Sequence, residues 1–434
     1  MSPTRAEEST KPLPRVLFVS GSLGLGHATR DLAVARELRR KAQGIDIRWL
    51  AASPTTEMLA AAGETLVPEW REYRCETDTA DSMGGAGRLN LTGYVYRALG
   101  QWIHNAGVIG RASRRGAFDL LVGDETYEVI VAKVLGLRTL PGLSFVMMYD
   151  FWGMDVSTKK VAERLGAWGL NFIWSRERGV TGREGNAALF IGEPEDIPDR
   201  RFGAFLPNRR RYAESHVIFL GYILTFDPAS LPSKQALKAD LGYGPGPLVL
   251  CTVGGTAVGR ELLELCGRAY PSAAARLPGL RFVLVCGPRI DPAVIEAPAP
   301  AEVERRGMVP DLYRHLAAAD LVVTQGGGTT TLELTALRVP FIFFPVKSQA
   351  EQEVTIAGRL ARHGAGVRMS LEDTTPEQLA QEIIAHIGRD VVYPRVAFDG
   401  ASRAADVILD RLERGQNLRR SEAQSMPFSE ARRS

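Results

Sequence analysis

The sequence predicts an α/β protein built from two doubly wound parallel-sheet domains that face each other across a cleft. Three observations carry this. Short apolar runs of strand length recur, as in RVLFVS at 15–20, AFDLLVG at 117–123, LVLCTV at 248–253 and LVVT at 321–324; strands this apolar suit a parallel sheet covered on both faces. The first, third and fourth of these lead into a Gly-rich turn (Gly21–Gly26, Gly254–Gly259, Gly326–Gly328) and then a helical pattern, the βα step of a parallel sheet. Finally, a Pro- and Gly-rich stretch at 222–247 divides the chain into two halves that each restart the pattern.

A chain of 434 residues is long enough for two or three domains. With 45% hydrophobic and 24% charged residues it can bury sizeable cores. A net charge of +3 gives no argument for a nucleic-acid partner. The four cysteines, Cys75, Cys251, Cys266 and Cys286, form no C-x-x-C pair. They read as free thiols of a reducing cytoplasm, not a zinc site or disulfide framework. The N-terminal MSPTRAEESTKPLPR lacks an apolar signal region, and no run reaches the roughly 18 apolar residues of a membrane span.

Residues 1–14 are expected to be a disordered lead and 15–221 the first domain. Its first strand, 15–20, precedes a helix at 28–41 with Leu32, Ala35 and Leu38 on one face; a strand at 45–51 follows. Residues 68–116, helical from about 89 to 115, either cover an acceptor or are an ordinary surface excursion. The strand 117–123 ends at Asp124 and Glu125; a helix at 127–135 and a strand at 145–148 follow. The segment 151–211 holds Trp152, Trp168 and Trp174 among basic residues, and Arg209-Arg210-Arg211 reads as a solvated charge run or as a face toward phosphate or an anionic membrane surface. A strand at 217–220 closes this domain, and 222–247 is the linker. The second domain, 248–400, carries strands at 248–253, 282–286, 306–309, 321–324 and 339–345, with helices at 260–276, 312–319, 351–362 and 376–387. An amphipathic helix at 401–414 and a disordered tail at 415–434 end the chain.

The chemistry concentrates in 320–357. Gly326, Gly327 and Gly328 let the backbone turn, and Thr329, Thr330 and Thr331 supply capping hydroxyls for the next helix. Free N–H groups and the positive end of the dipole suit that helix start to a phosphate. Glu333, one turn on, can accept hydrogen bonds from a ribose diol, and an acidic-amide loop (Gln349, Glu351, Gln352, Glu353) follows the next strand. At the other sheet, Gly24 and Gly26 would let a substrate approach His27 at the start of the first helix. The G-x-x-G-x-G spacing there departs from the dinucleotide fingerprint, and the second strand ends Leu50-Ala51-Ala52-Ser53-Pro54 without a ribose-binding acid.

The 320–357 stretch resembles the donor-binding signature of GT-B glycosyltransferases, which consist of two Rossmann-like domains. It is nearest family 28, whose best-known member adds N-acetylglucosamine to a lipid-linked peptidoglycan precursor; family 1 is a close second. The resemblance implies that Thr330 contacts the donor diphosphate, Glu333 holds the ribose and Gln352 contacts the donor sugar, while Glu351 falls at the acid of family 1's Asp-Gln pair. It places the base ring near Met308 and Val309, the diphosphate between Gly254-Gly255-Thr256 and Thr329-Thr330, and the last helix back on the first domain. His27 is the candidate base that deprotonates the acceptor, because imidazole takes up a proton near neutral pH. Asp124, with Glu125 as rival, is the acid that would orient it, as in the His–Asp dyad of family 1.

The expected function is therefore inverting, metal-independent transfer of a hexose or N-acetylhexosamine from a UDP-sugar-type donor, with uracil or thymine as its base, to a lipid or small-molecule hydroxyl. No cofactor is expected, and the chain has no Asp-x-Asp pair. Peripheral contact with the inner face of a membrane is compatible with the basic, aromatic first domain. A sugar-nucleotide hydrolase and a non-catalytic sugar-nucleotide binder are the alternatives. Two departures are visible: Gly123-Asp124-Glu125-Thr126-Tyr127 replaces the second Gly-rich loop of the peptidoglycan enzyme, and Glu353 replaces one of its paired amides.

Overall fold

The computed structural model describes residues 13–21, 25–74, 84–85, 88–89, 91–137, 143–155, 161–254, 258–297, 302–347, 351–394 and 396–425. The strands are β1 (Arg15–Val19), β2 (Asp46–Leu50), a short antiparallel ribbon β3–β4 (Gly84–Gly85, Arg88–Leu89), β5 (Leu120–Asp124), β6 (Ser144–Tyr149), β7 (Ala187–Phe190) and β8 (Val217–Phe219) in the first half. The second half holds β9 (Leu248–Thr252), β10 (Arg281–Val285), β11 (Val303–Arg306), β12 (Leu321–Gln325), β13 (Phe341–Phe344) and β14 (Val367–Arg368).

They form two six-stranded parallel sheets, ordered β2-β1-β5-β6-β7-β8 and β11-β10-β9-β12-β13-β14. The apolar runs are explained by burial on both faces: Leu17 and Val19 enter one core while Val16 and Phe18 enter the opposite one. The second sheet repeats this, with Val249 and Cys251 on one side and Leu248 and Leu250 on the other. In each sheet the strand order reverses once, between β1 and β5 and between β9 and β12. Crevices at the carboxyl ends of strands at such reversals are where open α/β sheets bind ligands. Among the described residues no helix is long and apolar enough to cross a membrane.

The structure redraws several sequence-based boundaries. Residues 234–247 belong to the second domain, not to a linker. The helix Lys234–Asp240 buries Leu237, and Tyr243 joins it in the core beneath β9. Composition misled here, because the Pro and Gly residues flank this helix and do not span a free connection. The domains are joined by two neighbouring crossings, with Tyr222 N donating to Ala397 O at 3.0 Å and Gly400 N to Tyr222 O at 3.1 Å. Gly221 is suited to this point: its φ is +70°, and a Cβ there would meet Ala397 O at 3.2 Å.

The last helix runs from Gly400 to Ser425, so 415–425 are helical and not a disordered tail. It buries Ala401, Ala404, Ala405, Ile408 and Leu412 on the first sheet, and Lys41 Nζ reaches Ser402 O at 2.9 Å. Gly415, a residue that ordinarily stops a helix, is retained within it. A Cβ there would lie 2.5 Å from Ser144 Oγ, so its absence allows the close approach. The short strand expected at 306–309 is instead β11, Val303–Arg306, and of the triple arginine Arg211 is exposed while the other two are engaged. Arg209 is buried in an ion pair with Asp155 at 2.7 Å, and Arg210 Nε donates to Ile197 O at 2.9 Å.

Arg362 of the second domain pairs across the boundary with Asp196 at 2.9 Å and Glu193 at 3.0 Å, and donates to Tyr222 Oη at 3.3 Å. Asp196 is only 5% exposed, so removing its cationic partner leaves a buried carboxylate short of a charge-assisted bond. Arg362→Ala should lower the denaturation midpoint by the equivalent of about 1–3 kcal/mol. An unchanged melting curve would show that this pair adds nothing to domain docking.

Candidate active site

The first-domain half of the site lies at the β1/β5 reversal. The helix Leu25–Lys41 starts just after β1, which puts His27 in its first turn and Arg30 and Asp31 one turn later on the same side. Asp124 ends β5, and its carboxylate meets this face. His27 Nδ1 lies 2.9 Å from Asp124 Oδ2, while Nε2 lies 3.8 Å from Glu125 Oε2. Asp124, not its neighbour Glu125, is thus the acid on Nδ1.

Arg30 grips Asp124 with two bonds, Nε to Oδ2 at 2.9 Å and Nη2 to Oδ1 at 2.6 Å, and its Nη1 pairs with Asp150 at the end of β6. Nη2 also lies 2.6 Å from His27 Nδ1; a guanidinium only donates, so Nε2 is left unprotonated as a base only in the tautomer whose Nδ1–H points to Asp124. Burial raises the Asp124 carboxyl, but Arg30 and His27 outweigh it and hold the group below the usual carboxylate range. For Asp150, burial is likewise overcome, chiefly by Arg30, and the carboxyl falls well below that range. Burial and then Asp150 push Glu125 far upward. Asp31, which accepts from Ser20 Oγ at 2.5 Å, is driven up by burial and by Asp124. Two carboxyls held low and two pushed upward thus surround one guanidinium.

Sequence reasoning missed Arg30, Asp31 and Asp150. Two signals could have found them: the i, i+3, i+4 spacing of His27, Arg30 and Asp31, and an acid directly after a buried strand, the same signal that marks Asp124.

The second-domain half lies at the β9/β12 reversal. The helix Gly328–Leu337 has Gly327 as N-cap, in extended conformation and with no side-chain cap bond. Here the threonines do not cap as expected. Thr331 Oγ1 instead donates back to Gly327 O at 2.8 Å, so this hydroxyl leaves the first-turn N–H groups to a ligand. Thr329 and Thr330 are half-buried beside them. Glu333 is 9% exposed, and burial lifts its carboxyl to about 8. Gln352 Oε1 accepts from Val346 N at 3.0 Å, tying the loop after β13 over Gly326. Gln325 Nε2 donates to Val258 O at 2.9 Å and holds the turn after β9. Between these turns lies a cleft of about 310 Å³, lined by Gly259, Gln325, Lys347 and Glu353 among others. Lys347 was another residue the sequence did not single out.

The two halves meet directly. A Cβ on Gly26 would lie 2.6 Å from Thr329 Oγ1, so the start of the His27 helix touches the start of the Gly328–Leu337 helix. Gly254 sits at the end of β9 with φ +74°. Met308 is exposed and Val309 half-buried after β11, three strands from β12. That is about 14 Å away at the usual strand spacing, so these two residues lie at the far end of the sheet edge from Thr330. Gly24, Gly255, Thr256 and the side chain of Glu351 lie outside the described residues.

Comparison with known proteins agrees with this architecture. Residues 249–387 match the glycosyltransferase family 28 C-terminal domain. Over 392 residues, 87% of this chain and 90% of the relative, the sequence is 23% identical to an uncharacterized glycosyltransferase of Methanosarcina acetivorans. It is 25% identical over 431 residues, 96% of this chain and 85% of the relative, to the UDP-N-acetylglucosamine--N-acetylmuramyl-(pentapeptide) pyrophosphoryl-undecaprenol N-acetylglucosamine transferase of Xanthomonas campestris pv. campestris. The kitacinnamycin glycotransferase structure aligns with a TM-score of 0.58 at 18% identity, covering 93% of this chain and all (100%) of the other. The spinosyn rhamnosyltransferase SpnG complexed with thymidine diphosphate aligns at 0.55 and 18%, covering 94% and 100%. With its doubly wound halves and a second half that matches the family 28 C-terminal domain, the chain is a glycosyltransferase of GT-B fold resembling that family.

Proposed function

We propose that the protein transfers a hexosyl or N-acetylhexosaminyl unit from a UDP-sugar-type donor to a hydroxyl of a lipid or small-molecule acceptor, with inversion and without a metal. The observation that carries this reading is the pair of half-buried His27 and buried Asp124 set against the start of the Gly328–Leu337 helix. His27 Nε2 takes the acceptor proton as its oxygen attacks the anomeric carbon, and Asp124 stabilises the imidazolium. The departing diphosphate gathers charge at the first-turn N–H groups of Gly328–Leu337, which need no reorganisation to receive it. Glu333 holds the ribose diol, Gln352 borders the sugar, and Met308–Val309 border the base. A single displacement by an activated hydroxyl inverts the anomeric centre. The relative named for a UDP-N-acetylglucosamine substrate and the fold neighbour complexed with thymidine diphosphate support a uracil or thymine donor. On this reading the enzyme works in the cytoplasm, with the membrane's inner face within reach if the acceptor is a lipid.

A thermal-shift screen of UDP, UDP-glucose, UDP-N-acetylglucosamine, dTDP, GDP and NAD in EDTA tests it. A ligand at 100 times its dissociation constant should add about 2.7 kcal/mol, and the shift is expected with UDP or dTDP compounds alone. No shift, or one with NAD only, overturns the reading. Nucleotide release that proceeds equally fast without any acceptor would identify a hydrolase instead.

A further inference from the structure

Among the described residues four lysine or arginine side chains are buried: Arg30, Arg209, Lys238 and Arg359. Three of them meet carboxylates, Arg30 at Asp124, Arg209 at Asp155 and Lys238 at Asp320. Arg359 is 8% exposed and meets no carboxylate among the described residues. Its Nη2 donates to two neutral acceptors, Gly328 O at 3.1 Å and Thr331 Oγ1 at 3.3 Å, and its guanidinium carbon lies 5.3 Å from the centre of the Tyr222 ring. Charged groups are rarely buried without a counter-ion, because only pairing offsets their desolvation.

The place of this charge gives it a use. Gly328 opens the Gly328–Leu337 helix and Thr331 lies in its first turn, so the guanidinium is held against the turn whose N–H groups are left to a ligand. The chain delivers it there by register. A π-helical turn, Glu351–Ile356, runs straight into the helix Ala357–Arg362. Gln352, which ties the loop after β13 over Gly326, precedes Arg359 by seven residues on this continuous segment. Such π turns recur at functional sites. A resident carboxylate beside Arg359 would cancel its field, and an uncharged ligand would leave the cation as costly as before. An anion that arrives and departs at the helix start meets both conditions.

We infer that Arg359 is a positioning residue for the donor, whose charge behind the first turn of Gly328–Leu337 makes that turn select a diphosphate over an uncharged nucleoside. The inference rests on the transfer reaction proposed above and adds a residue that sets its donor class. UDP, titrated by calorimetry, and uridine, followed by ligand-observed NMR, are the probes on the full chain. If the ligand screen selects thymine, dTDP and thymidine take their place.

Arg359→Gln keeps a donor and removes the charge. It should bind UDP about tenfold more weakly than the wild type, the scale of one partly screened charge, and uridine equally well. Arg359→Lys keeps the charge and should hold UDP within about threefold of the wild type. Unchanged UDP affinity in folded Arg359→Gln overturns the inference. So does an equal loss for UDP and uridine, the mark of a purely structural role. Should Arg359→Gln fail to fold, Arg359→Lys decides, and a loss there of about tenfold or more overturns the inference. A wild type that binds neither UDP nor dTDP overturns the transferase reading and the inference with it, whereas UDP held equally by the wild type and Arg359→Gln sinks the inference alone.

Discussion

His27→Ala should lower turnover by about 10²–10⁴-fold, the usual contribution of a positioned acid–base group, while UDP affinity stays at its wild-type value. The split follows from geometry. His27 is held by Asp124 on the first domain, while the proposed nucleotide contacts are on the second. A neutral hydroxyl is a poor nucleophile, so without the imidazole the attack must wait for solvent to take the proton. Turnover at saturating donor and calorimetric UDP binding are the paired measurements. Wild-type turnover in the variant would sink the base assignment. A parallel loss of UDP affinity would show that His27 shapes the donor site through the Gly26–Thr329 contact. The alanine also removes one partner of a buried charge cluster, so the stability of the variant belongs in the same experiment. Arg30 still holds Asp124 by two bonds, which limits the damage.

The positions of His27 and Asp124 were legible in the sequence because Asp124 ends its strand and His27 sits in the first turn of the helix after the Gly-rich turn that follows β1, and a buried apolar run fixes where each strand ends. The Gly326–Gly328 turn was legible for the same local reason. Arg30 and Asp150 were not, because their meaning is non-local: 120 positions separate them, and only the order β1-β5-β6 brings them together. The threonines after Gly328 illustrate a different limit. Composition says that threonine can cap a helix, but it does not say whether the hydroxyl will turn to an N–H or back to a carbonyl, and Thr331 turns back. The misplaced linker and the shortened last helix share one cause. Glycine and proline were read as breaks, whereas Gly415 lets a helix pass close to Ser144 and the residues around Lys234–Asp240 wrap a folded helix.

Glu333→Gln should make the protein more stable at pH 8 and weaker in binding nucleotide, two effects of opposite value from one buried carboxyl. Burial alone raises Glu333 to about 8 from its ordinary 4.5. Because the folded value lies above the unfolded one, its contribution to stability is complete below about 4.5 and is lost as pH climbs through about 8. Each unit of that interval corresponds to about 1.4 kcal/mol, so the full loss is on the order of 5 kcal/mol. Glutamine has a similar shape and does not titrate. The variant should therefore match the wild type near pH 4.5 and exceed it by about 2–4 kcal/mol at pH 8, read from denaturation midpoints at the two values. Coincident curves would mean that Glu333 is not desolvated as its position in the Gly328–Leu337 helix implies. The same proton governs binding. A ribose diol is held best by the carboxylate, so wild-type UDP affinity should rise with pH up to about 8, and binding at pH 7 should release a proton to the buffer. Glutamine offers an uncharged acceptor and should lose about tenfold or more in affinity, with no proton release, since bonds to a charged group are worth about 1.5–3 kcal/mol each. Unaltered affinity would remove Glu333 from the ribose site. A gain in stability together with a loss of binding would show that this chain keeps a costly buried acid because its ligand requires the charge.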